Sequence, residues 1–271
     1  MRRPLFSCVI PVKGARPYFE EAMASVREQG MGEALEIIVQ DGDVDPDFGQ
    51  SDALNKGFSR AKGEWLFWLN ADDVLLPGAL KKVLGFINRV EHIERDETTT
   101  NHKSRVMNHK PHLNWLAGDT VYINEEGKVR DVRCDAKWRS WFGNKLSVWT
   151  GGPSAFFRRE LWARYGEFDT ALKYVMDIDL WTRWAKAGER FVGLDDYVWG
   201  FRVHDGSKTM GGKHQDEYRL ERSCLMCKHG VKHETFWRNL TRIASVFDGS
   251  WMKRELDSAR LRGSKYNRGA K

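Results

Sequence analysis

Residues 64–73, EWLFWLNADD, join an apolar run to an acidic turn, and this stretch decides the fold. The run 65–69 is short, aromatic and bounded by polar residues, which is typical of a buried β-strand. Asp72 and Asp73 stand immediately after it, and a Pro-Gly pair at 77–78 precedes a predicted helix from about 78 to 90. The stretch therefore predicts a strand that carries two adjacent carboxylates at its carboxyl end.

The same order of elements occurs upstream. Apolar runs at 5–12 and 35–40 predict two strands, and amphipathic runs at 17–29 and 51–61 predict the helices between them. Strands that alternate with helices pair in parallel through right-handed crossovers. Ligands of such sheets bind beyond the carboxyl ends of the strands, where the acidic residues at 41–43 and 72–73 both fall.

Downstream, the predicted elements are less regular. Residues 91–112 are polar and are interpreted as a loop or insertion. The remaining predicted elements are a strand at 115–124 closed by a turn at 125–128, a strand at 154–157, helices from about 159 and at 177–187, and a closing strand at 191–203.

The composition is that of a globular protein, with 41% hydrophobic and 30% charged residues in 271. Trp occurs 12 times, mainly as predicted core. The net charge of +6 is spread along the chain without a nucleic-acid-binding motif, so no nucleic-acid partner is expected. No apolar run reaches about 18 residues, which favours a cytoplasmic protein. Cys224 and Cys227 lack the second pair that a structural zinc site needs.

The acidic turn supports two interpretations with about equal weight. Adjacent carboxylates resist burial and suit Mg²⁺ or Mn²⁺, which share coordination with substrate phosphates. A helix N-cap before the helix at 78–90 explains the same residues.

A second acidic pair, Asp177 and Asp179, begins a predicted helix. Residues two apart on a helix face different directions, so one carboxylate is free to face a cleft as a base while the other pairs with a cation such as Arg183. An acidic first turn that complements the helix dipole is the simpler alternative. The loop after the last strand holds His204 and Lys208, which suit ligation or phosphate contact.

The order of these motifs resembles the inverting glycosyltransferases of family 2, which have the GT-A fold. The resemblance covers Phe6 to about Thr209. Its motifs are SCVIPV at 7–12, EIIVQDG at 36–42, SDALNKG at 51–57, LNADD at 69–73, GEFD at 166–169, MDIDLW at 176–181 and RVHDGSKT at 202–209. It implies an α/β fold with a GT-A (Rossmann-like), mostly parallel sheet flanked by helices, and a helical C-terminal extension.

The resemblance also implies roles for individual residues. Asp177 would be the catalytic base that takes the proton of the acceptor hydroxyl. Asp73 would be the leading metal ligand, with Asp72 serving the ribose or the metal and His204 completing the site for Mn²⁺ or Mg²⁺. The donor nucleotide would be bound by Pro11, Asp41, Asp52, Asn55, Asp72 and Arg202. Gly152 and Trp181 would border the acceptor.

The implied activity is inverting transfer from a UDP- or GDP-sugar to a glycan or lipid-linked acceptor in cell-surface polysaccharide synthesis. The segment 42–50 is shorter than its counterpart in the family, which leaves the base preference open. Two alternatives remain at this point. One is an inactive nucleotide-sugar-binding homologue that acts as a scaffold, and the other is a nucleotidyltransferase, for which Lys13-Gly14-Ala15-Arg16 is only a faint phosphate loop.

The predicted organisation is a catalytic domain at 1–210, a helical extension at 211–259 and a basic, disordered tail at 260–271. The catalytic domain divides into a nucleotide-sugar half at about 1–90 and an acceptor half at about 113–210. The extension is partly amphipathic, so we consider both contact with the inner face of a membrane and packing in a homodimer.

Overall fold

The computed structural model describes residues 3–100, 113–134, 152–208, 214–231 and 249–267, with 239, 243 and 245–247. Within these residues eight strands form one sheet. The strands are β1 (Phe6–Val12), β2 (Leu35–Asp41), β3 (Trp65–Trp68), β4 (Val74–Leu75), β5 (Trp115–Ile123), β6 (Val129–Arg133), β7 (Ala155–Arg158) and β8 (Phe191–Arg202). The helices are α1 (Phe19–Arg27), α2 (Gln50–Arg60), α3 (Ala79–Thr100), α4 (Arg159–Tyr165), α5 (Met176–Lys186), α6 (Gln215–Lys228) and α7 (Ser250–Leu261).

The N-terminal half of the sheet is parallel, as predicted. β1 lies between β2 and β3 and pairs in parallel with both, so that Phe6 is level with Leu35 on one side and Trp65 on the other. All three strands therefore end at the same edge. The acidic turn after β3 lies at this edge, where parallel α/β sheets bind ligands.

The second half of the sheet is mixed, which corrects the expectation of a mostly parallel sheet. The full order is β2-β1-β3-β7-β5-β8-β4, with β6 beside β5. β7 runs antiparallel to β3 and β5, β4 runs antiparallel to β8, and only β5 and β8 pair in parallel in this half. The tight turn at 124–128 requires β5 and β6 to be antiparallel, since only strands of opposite direction are joined by so short a connection.

Two predicted boundaries are wrong. α3 continues to Thr100, whereas residues 91–112 were expected to form a loop. Polar residues form a solvated helix as readily as a loop, so polarity alone did not discriminate. The tail at 260–271 was expected to be disordered, yet up to residue 267 it is ordered. The Gly263 N–H donates to the Val129 carbonyl at 2.8 Å, and the Val129 N–H donates to the Ser264 carbonyl at 2.8 Å.

The core lies on both faces of the sheet and is rich in indole rings, as the Trp content predicts. On one face Trp68, Trp115, Trp181 and Trp184 are all buried and pack ring against ring. α6 packs against the helices beside the sheet, because its Leu225 and Met226 are buried together with residues at the start of α5. In the part of the chain that the structure describes, no helix has the length and apolarity needed to cross a membrane.

Candidate functional site

A pocket of about 910 Å³ opens at the carboxyl edge of β1 and β3. Its floor includes Pro11 and the turn through Asp72, and its opposite wall includes Gly152 and Asp177. The loop after β8 contributes His204 and Lys208. The pocket thus brings together residues from four of the predicted motifs that lie far apart in sequence.

Asp72 and His204 form a pair at this pocket. The Nε2 atom of His204 lies 2.9 Å from Oδ2 of Asp72. The Gly206 N–H donates to Nδ1 of His204 at 3.2 Å. Because a backbone N–H only donates, Nδ1 is an acceptor, and the neutral imidazole carries its proton on Nε2, facing Asp72. Both side chains are predicted metal ligands, and both face the cavity.

Asp73, predicted as the leading metal ligand, is buried and does not line the pocket. It is 1% exposed and accepts hydrogen bonds from the Arg202 backbone N–H at 2.9 Å and the Asn70 amide at 2.8 Å. Burial raises the pKa of Asp73 well above its usual range, and the charge of Asp72 adds to this effect. Its carboxylate connects the turn to β8 through the Arg202 N–H and does not border the pocket. Asp72 is therefore the better-placed ligand.

Arg202 is a buried anchor, not a phosphate-binding group. Its side chain is 0% exposed. The guanidinium donates to the Asp72 carbonyl at 2.8 Å and to the Glu125 carbonyl at 2.8 Å, and it pairs with Glu21 at 2.5 Å. It also lies over the ring of Tyr18, 4.5 Å from the ring centroid. Arg202 was predicted to bind the nucleotide; in the structure its guanidinium is buried and holds the backbone of the acidic turn.

Asp177 faces the pocket at the start of α5. Its Oδ2 accepts the Gly152 N–H at 3.1 Å, and its Oδ1 accepts the Ile178 N–H at 2.8 Å. Burial raises the pKa of Asp177 to about 6, against the lowering effect of these two N–H donors and of the charge of Arg222. A fixed carboxylate with such a pKa is suited to accept a proton near neutral pH.

Asp179 faces the other way, as the helical spacing predicts. It is 1% exposed and pairs with Arg183 at 2.8 Å and with His229 at 2.8 Å. Burial favours the protonated form, but the hydrogen bonds from His229 and Arg183 outweigh it and lower the pKa of Asp179. Asp179 therefore stabilises the junction between α5 and α6.

The predicted nucleoside residues separate into one that lines the pocket and three that do not. Pro11 lines it. Asp41 is held by a bidentate pair with Arg16, at 2.8 Å for each contact, and Arg16 rather than Asp41 borders the cavity. Asp52 accepts the Phe48 N–H at 3.1 Å and stabilises the loop before α2. Asn55 exchanges hydrogen bonds of 3.0 Å with the backbone of Phe168. Direct nucleotide contact by Asp52 and Asn55 is thus not supported by their positions.

Of the two predicted acceptor residues, Gly152 is at the pocket and Trp181 is not. A Cβ atom on Gly152 would lie 2.0 Å from the ring of Trp68, so the backbone approaches this indole as only glycine allows. Trp181 is fully buried and stacks on Trp115, with ring centroids 5.1 Å apart. Trp181 therefore lies in the core behind the pocket and does not line it.

One wall of the pocket was missed by the sequence analysis. Gln215, Tyr218 and Arg222 of α6 line it. Their spacing of three and four residues places them on one helical face, and the same face continues into the buried Leu225. The segment 211–259 was expected to be an extension outside the catalytic domain, but α6 is part of the site. The spacing was visible in the sequence, but the surface that it faces was not.

The fold is similar to that of solved glycosyltransferases of the GT-A type. S. aureus TarS, solved in complex with UDP-GlcNAc, aligns with a TM-score of 0.56 at 15% identity over 87% of this chain and 70% of that chain. The mannosyltransferase PcManGT from Pyrobaculum calidifontis, in complex with GDP-Man and Mn²⁺, aligns with a TM-score of 0.55 at 19% identity over 84% and 63%. Against a longer TarS chain, the present chain spans 37% of the length.

The sequence comparisons point to similarity with one family. Residues 45–131 match the model of glycosyl transferase family 2. Uncharacterized glycosyltransferases of Rickettsia typhi and Rickettsia prowazekii are 26% and 25% identical over 236 residues, which is 79% of this chain and 69% of theirs. The predicted resemblance to glycosyltransferase family 2 is confirmed.

Proposed function

We propose that this chain is an inverting, metal-dependent glycosyltransferase that transfers a sugar from a UDP- or GDP-sugar to a hydroxyl of a glycan or lipid-linked acceptor. The observation that carries the proposal is the sharing of one pocket by the Asp72–His204 pair and by Asp177. Asp72 and His204 are suited to a cation that binds the donor diphosphate, and Asp177 is suited to accept the proton of the acceptor hydroxyl. Synthesis of cell-surface polysaccharide is the process that we propose for it.

The residues at the acidic turn fit a divalent cation. Carboxylate and imidazole are ligands that Mn²⁺ accepts. The described residues hold no cluster of three or more His, Cys, Asp or Glu side chains suited to a metal. Two protein ligands are nonetheless consistent with Mg²⁺ or Mn²⁺, which take several ligands from water and substrate phosphates. Asp72 would hold the cation, and His204 would join it through Nε2 once the imidazole proton moves to Nδ1 in place of the Gly206 contact. The cation would stabilise the charge that develops on the leaving diphosphate.

Asp177 supplies the general base in this proposal. Its carboxylate accepts the proton of the acceptor hydroxyl as the hydroxyl oxygen forms a bond to the anomeric carbon. The bond from that carbon to the diphosphate oxygen breaks on the opposite face, which inverts the configuration. The N–H groups of Gly152 and Ile178 fix the carboxylate and leave its remaining lone pairs for the acceptor.

Lys208 is the side chain that we assign to the donor phosphates. Its Nζ donates to Oε1 of Gln50 at 3.2 Å and to the Lys173 carbonyl at 3.4 Å, both of which are neutral oxygens. Desolvation lowers the pKa of Lys208, because the charged form has lost part of its hydration. A phosphate oxygen would restore the lost favourable interaction.

The C-terminal segment suits peripheral contact with an anionic membrane surface on the cytoplasmic side. Several apolar side chains of the described residues after 245 are exposed, including Phe247 at 86% and Leu256 at 64%. They alternate with basic residues such as Lys253 and Arg254, the pattern of an interfacial helix. Phe247→Ser with Leu256→Ser should abolish flotation with anionic vesicles. A monomer–dimer shift in the same variant would instead assign this surface to a homodimer.

A donor screen tests the central proposal. The protein is incubated with UDP- and GDP-sugars with and without Mn²⁺, and nucleoside diphosphate release and thermal stabilisation are both measured. We expect one donor to raise the melting temperature in the presence of Mn²⁺ and to be slowly hydrolysed. Nucleotide binding without hydrolysis or transfer would favour the inactive scaffold. Absence of nucleotide binding would contradict both the transferase and the scaffold.

A further inference from the structure

Residues 262–266, which follow α7 and are named the C-terminal strap, lie against the turn at 124–128. The Tyr266 N–H donates to the Gly127 carbonyl at 3.1 Å, next to the two hydrogen bonds that join the strap to Val129. The ring of Tyr266 packs on Gly127 so closely that a Cβ atom there would lie 3.3 Å from it. The strap is therefore held to this turn by both its backbone and its aromatic side chain.

Tyr266 also connects the strap to α1. Its hydroxyl donates a hydrogen bond to the carboxylate of Glu21. Burial, with the negative charge of Glu21, raises the pKa of Tyr266 to about 12, so the hydroxyl keeps its proton near neutral pH and remains a donor. The same Glu21 side chain forms the ion pair with Arg202 at 2.5 Å. One carboxylate thus joins the C-terminal strap to the buried guanidinium.

The turn at 124–128 provides a second connection between the strap and Arg202. The guanidinium donates to the carbonyls of Asn124 at 3.1 Å and Glu125 at 2.8 Å. Because the Arg202 side chain is fully buried, water does not replace a partner that is lost, and a buried charge without its partner is costly. The position of the guanidinium therefore depends on the carboxylate and the carbonyls that the strap holds in place.

Arg202 in turn contacts both segments that carry the proposed cation ligands. Its guanidinium donates to the Asp72 carbonyl at 2.8 Å, which fixes the acidic turn. Its own carbonyl accepts the Ser207 hydroxyl at 3.1 Å, and Oγ of Ser207 accepts the His204 N–H at 3.0 Å, which fixes the loop after β8. The strap is thus linked through Glu21 and Arg202 to the backbone of both ligands.

We propose that Tyr266 and Glu21 are positioning residues for the cation site, so that the C-terminal strap belongs to the donor half of the catalytic domain. The inference rests on the proposed function, in which Asp72 and His204 hold the cation. Glu21 and Tyr266 are not among the residues that line the pocket, so they act through Arg202. Outer contacts of this kind orient metal ligands, and their loss weakens metal binding by about 10–100-fold.

Glu21→Gln and Tyr266→Phe test the proposal. Mn²⁺ is titrated into each full-length variant at a fixed concentration of UDP or GDP, whichever binds, and nucleotide binding is followed by tryptophan fluorescence. We expect the Mn²⁺ concentration for half-maximal binding to rise about tenfold in Glu21→Gln and about threefold in Tyr266→Phe. The pH dependence of donor hydrolysis, which reports Asp177, should stay unchanged. In the metal-free protein the NMR signal of the His204 imidazole should shift in both variants.

Tyr197→Phe is the matched control, because it removes a hydroxyl from another attachment of the C-terminal segment. The Tyr197 hydroxyl donates to Asp257 at 2.8 Å and joins α7 to β8, and this contact involves neither Glu21 nor Arg202. The control should lower the melting temperature but keep the Mn²⁺ requirement within about twofold of the wild type.

A Mn²⁺ requirement that is unchanged in Tyr266→Phe and Glu21→Gln, or that rises equally in the control, overturns the proposal and leaves the strap a purely structural element. Mn²⁺-dependent nucleotide binding by the wild type would still support the transferase in that case. An unchanged His204 signal in both metal-free variants would likewise count against the positioning role. Absence of Mn²⁺-dependent nucleotide binding in the wild type contradicts the metal-dependent function itself, and the inference falls with it.

Discussion

The two acidic segments at the pocket share one arrangement and differ in how it is stabilised. In the turn after β3, Asp72 faces the cavity and Asp73 is buried; at the start of α5, Asp177 faces the cavity and Asp179 is buried. The two buried carboxylates are equally hidden, at 1% exposure each. Their partners differ. Asp73 accepts hydrogen bonds from neutral N–H groups, whereas Asp179 accepts them from Arg183 and His229.

This difference shows that burial does not by itself determine the state of a carboxylate. The pKa of Asp73 is raised because burial and the charge of Asp72 outweigh the neutral N–H donors around it. The pKa of Asp179 is lowered because the hydrogen bonds from His229 and Arg183, with the charges of Arg183 and Lys228, outweigh burial. The surroundings of Asp73 in the turn therefore oppose ionisation of its carboxyl group, whereas those of Asp179 in the helix favour ionisation. The four carboxylates should respond differently to the same Asp→Asn substitution.

The largest expected effect is on catalysis at Asp177. Asp177→Asn removes the proton acceptor and should lower the transfer rate by about 10²–10⁴-fold, with nucleotide affinity within about twofold of wild type. Rates are measured as nucleoside diphosphate release in the presence of acceptor. Asp179→Asn, assayed well below its melting temperature, should keep most of the activity. Equal losses in the two variants would contradict the division of roles within this pair.

The second effect separates Asp72 from Asp73. Asp72→Asn should weaken Mn²⁺-dependent nucleotide binding by about 10–100-fold, because a carboxylate ligand is replaced by a weaker neutral amide. Asp73→Asn should change it by no more than about threefold, since Asp73 faces no ligand. Calorimetric titration of nucleotide at several Mn²⁺ concentrations measures both. The opposite ranking would restore Asp73 as the metal ligand.

The third effect is on stability and compares the two anchors. Asp179→Asn leaves Arg183 and His229 without their carboxylate and should lower the free energy of unfolding by about 3–5 kcal/mol. Asp73→Asn removes an acceptor of neutral N–H groups and should cost about 1–3 kcal/mol. Urea denaturation at pH 7.5 provides the comparison. Similar losses for the two substitutions would mean that the charge of the partners has little influence.

The smallest effect is the pH dependence at Asp177. Its pKa is about 6 in the folded protein and 3.8 in the unfolded chain, so proton binding favours the folded state. This stabilisation is complete below pH 3.8 and is lost as the pH rises through about 6. Asp177→Asn should therefore stabilise the protein by about 1–3 kcal/mol at pH 8, with partial exposure reducing the gain, and by little near pH 4. Melting curves at both pH values measure this. Wild-type transfer should decline below about pH 6, and a profile that is flat down to pH 4.5 would argue against Asp177 as the base.

The sequence predicted those parts of the fold and candidate site that follow from local residue spacing. Parallel strands followed by acidic turns predicted the edge of the sheet that carries the pocket, and helical spacing predicted that Asp177 and Asp179 would face different ways. Adjacent residues on a turn have no such periodicity, so the sequence did not reveal that Asp73 points inward. Asn55 and Trp181 stand in motifs that resemble the family, but their side chains are fixed by contacts with Phe168 and Trp115. The position of α6 depends on packing between distant segments, which a single sequence does not report.

The contact between Gly152 and Trp68 limits how the acceptor pocket can be redesigned. Gly152 orients Asp177 through its backbone N–H from a position where a Cβ would lie 2.0 Å from the Trp68 ring. Substitution there would displace Asp177, the proposed base, together with the pocket wall, so we expect any change at this glycine to lower the proposed transfer rate. The α6 face carrying Gln215 and Arg222 has no such restriction. An engineered library, or natural divergence between relatives, should therefore vary acceptor choice along that helix while position 152 stays glycine.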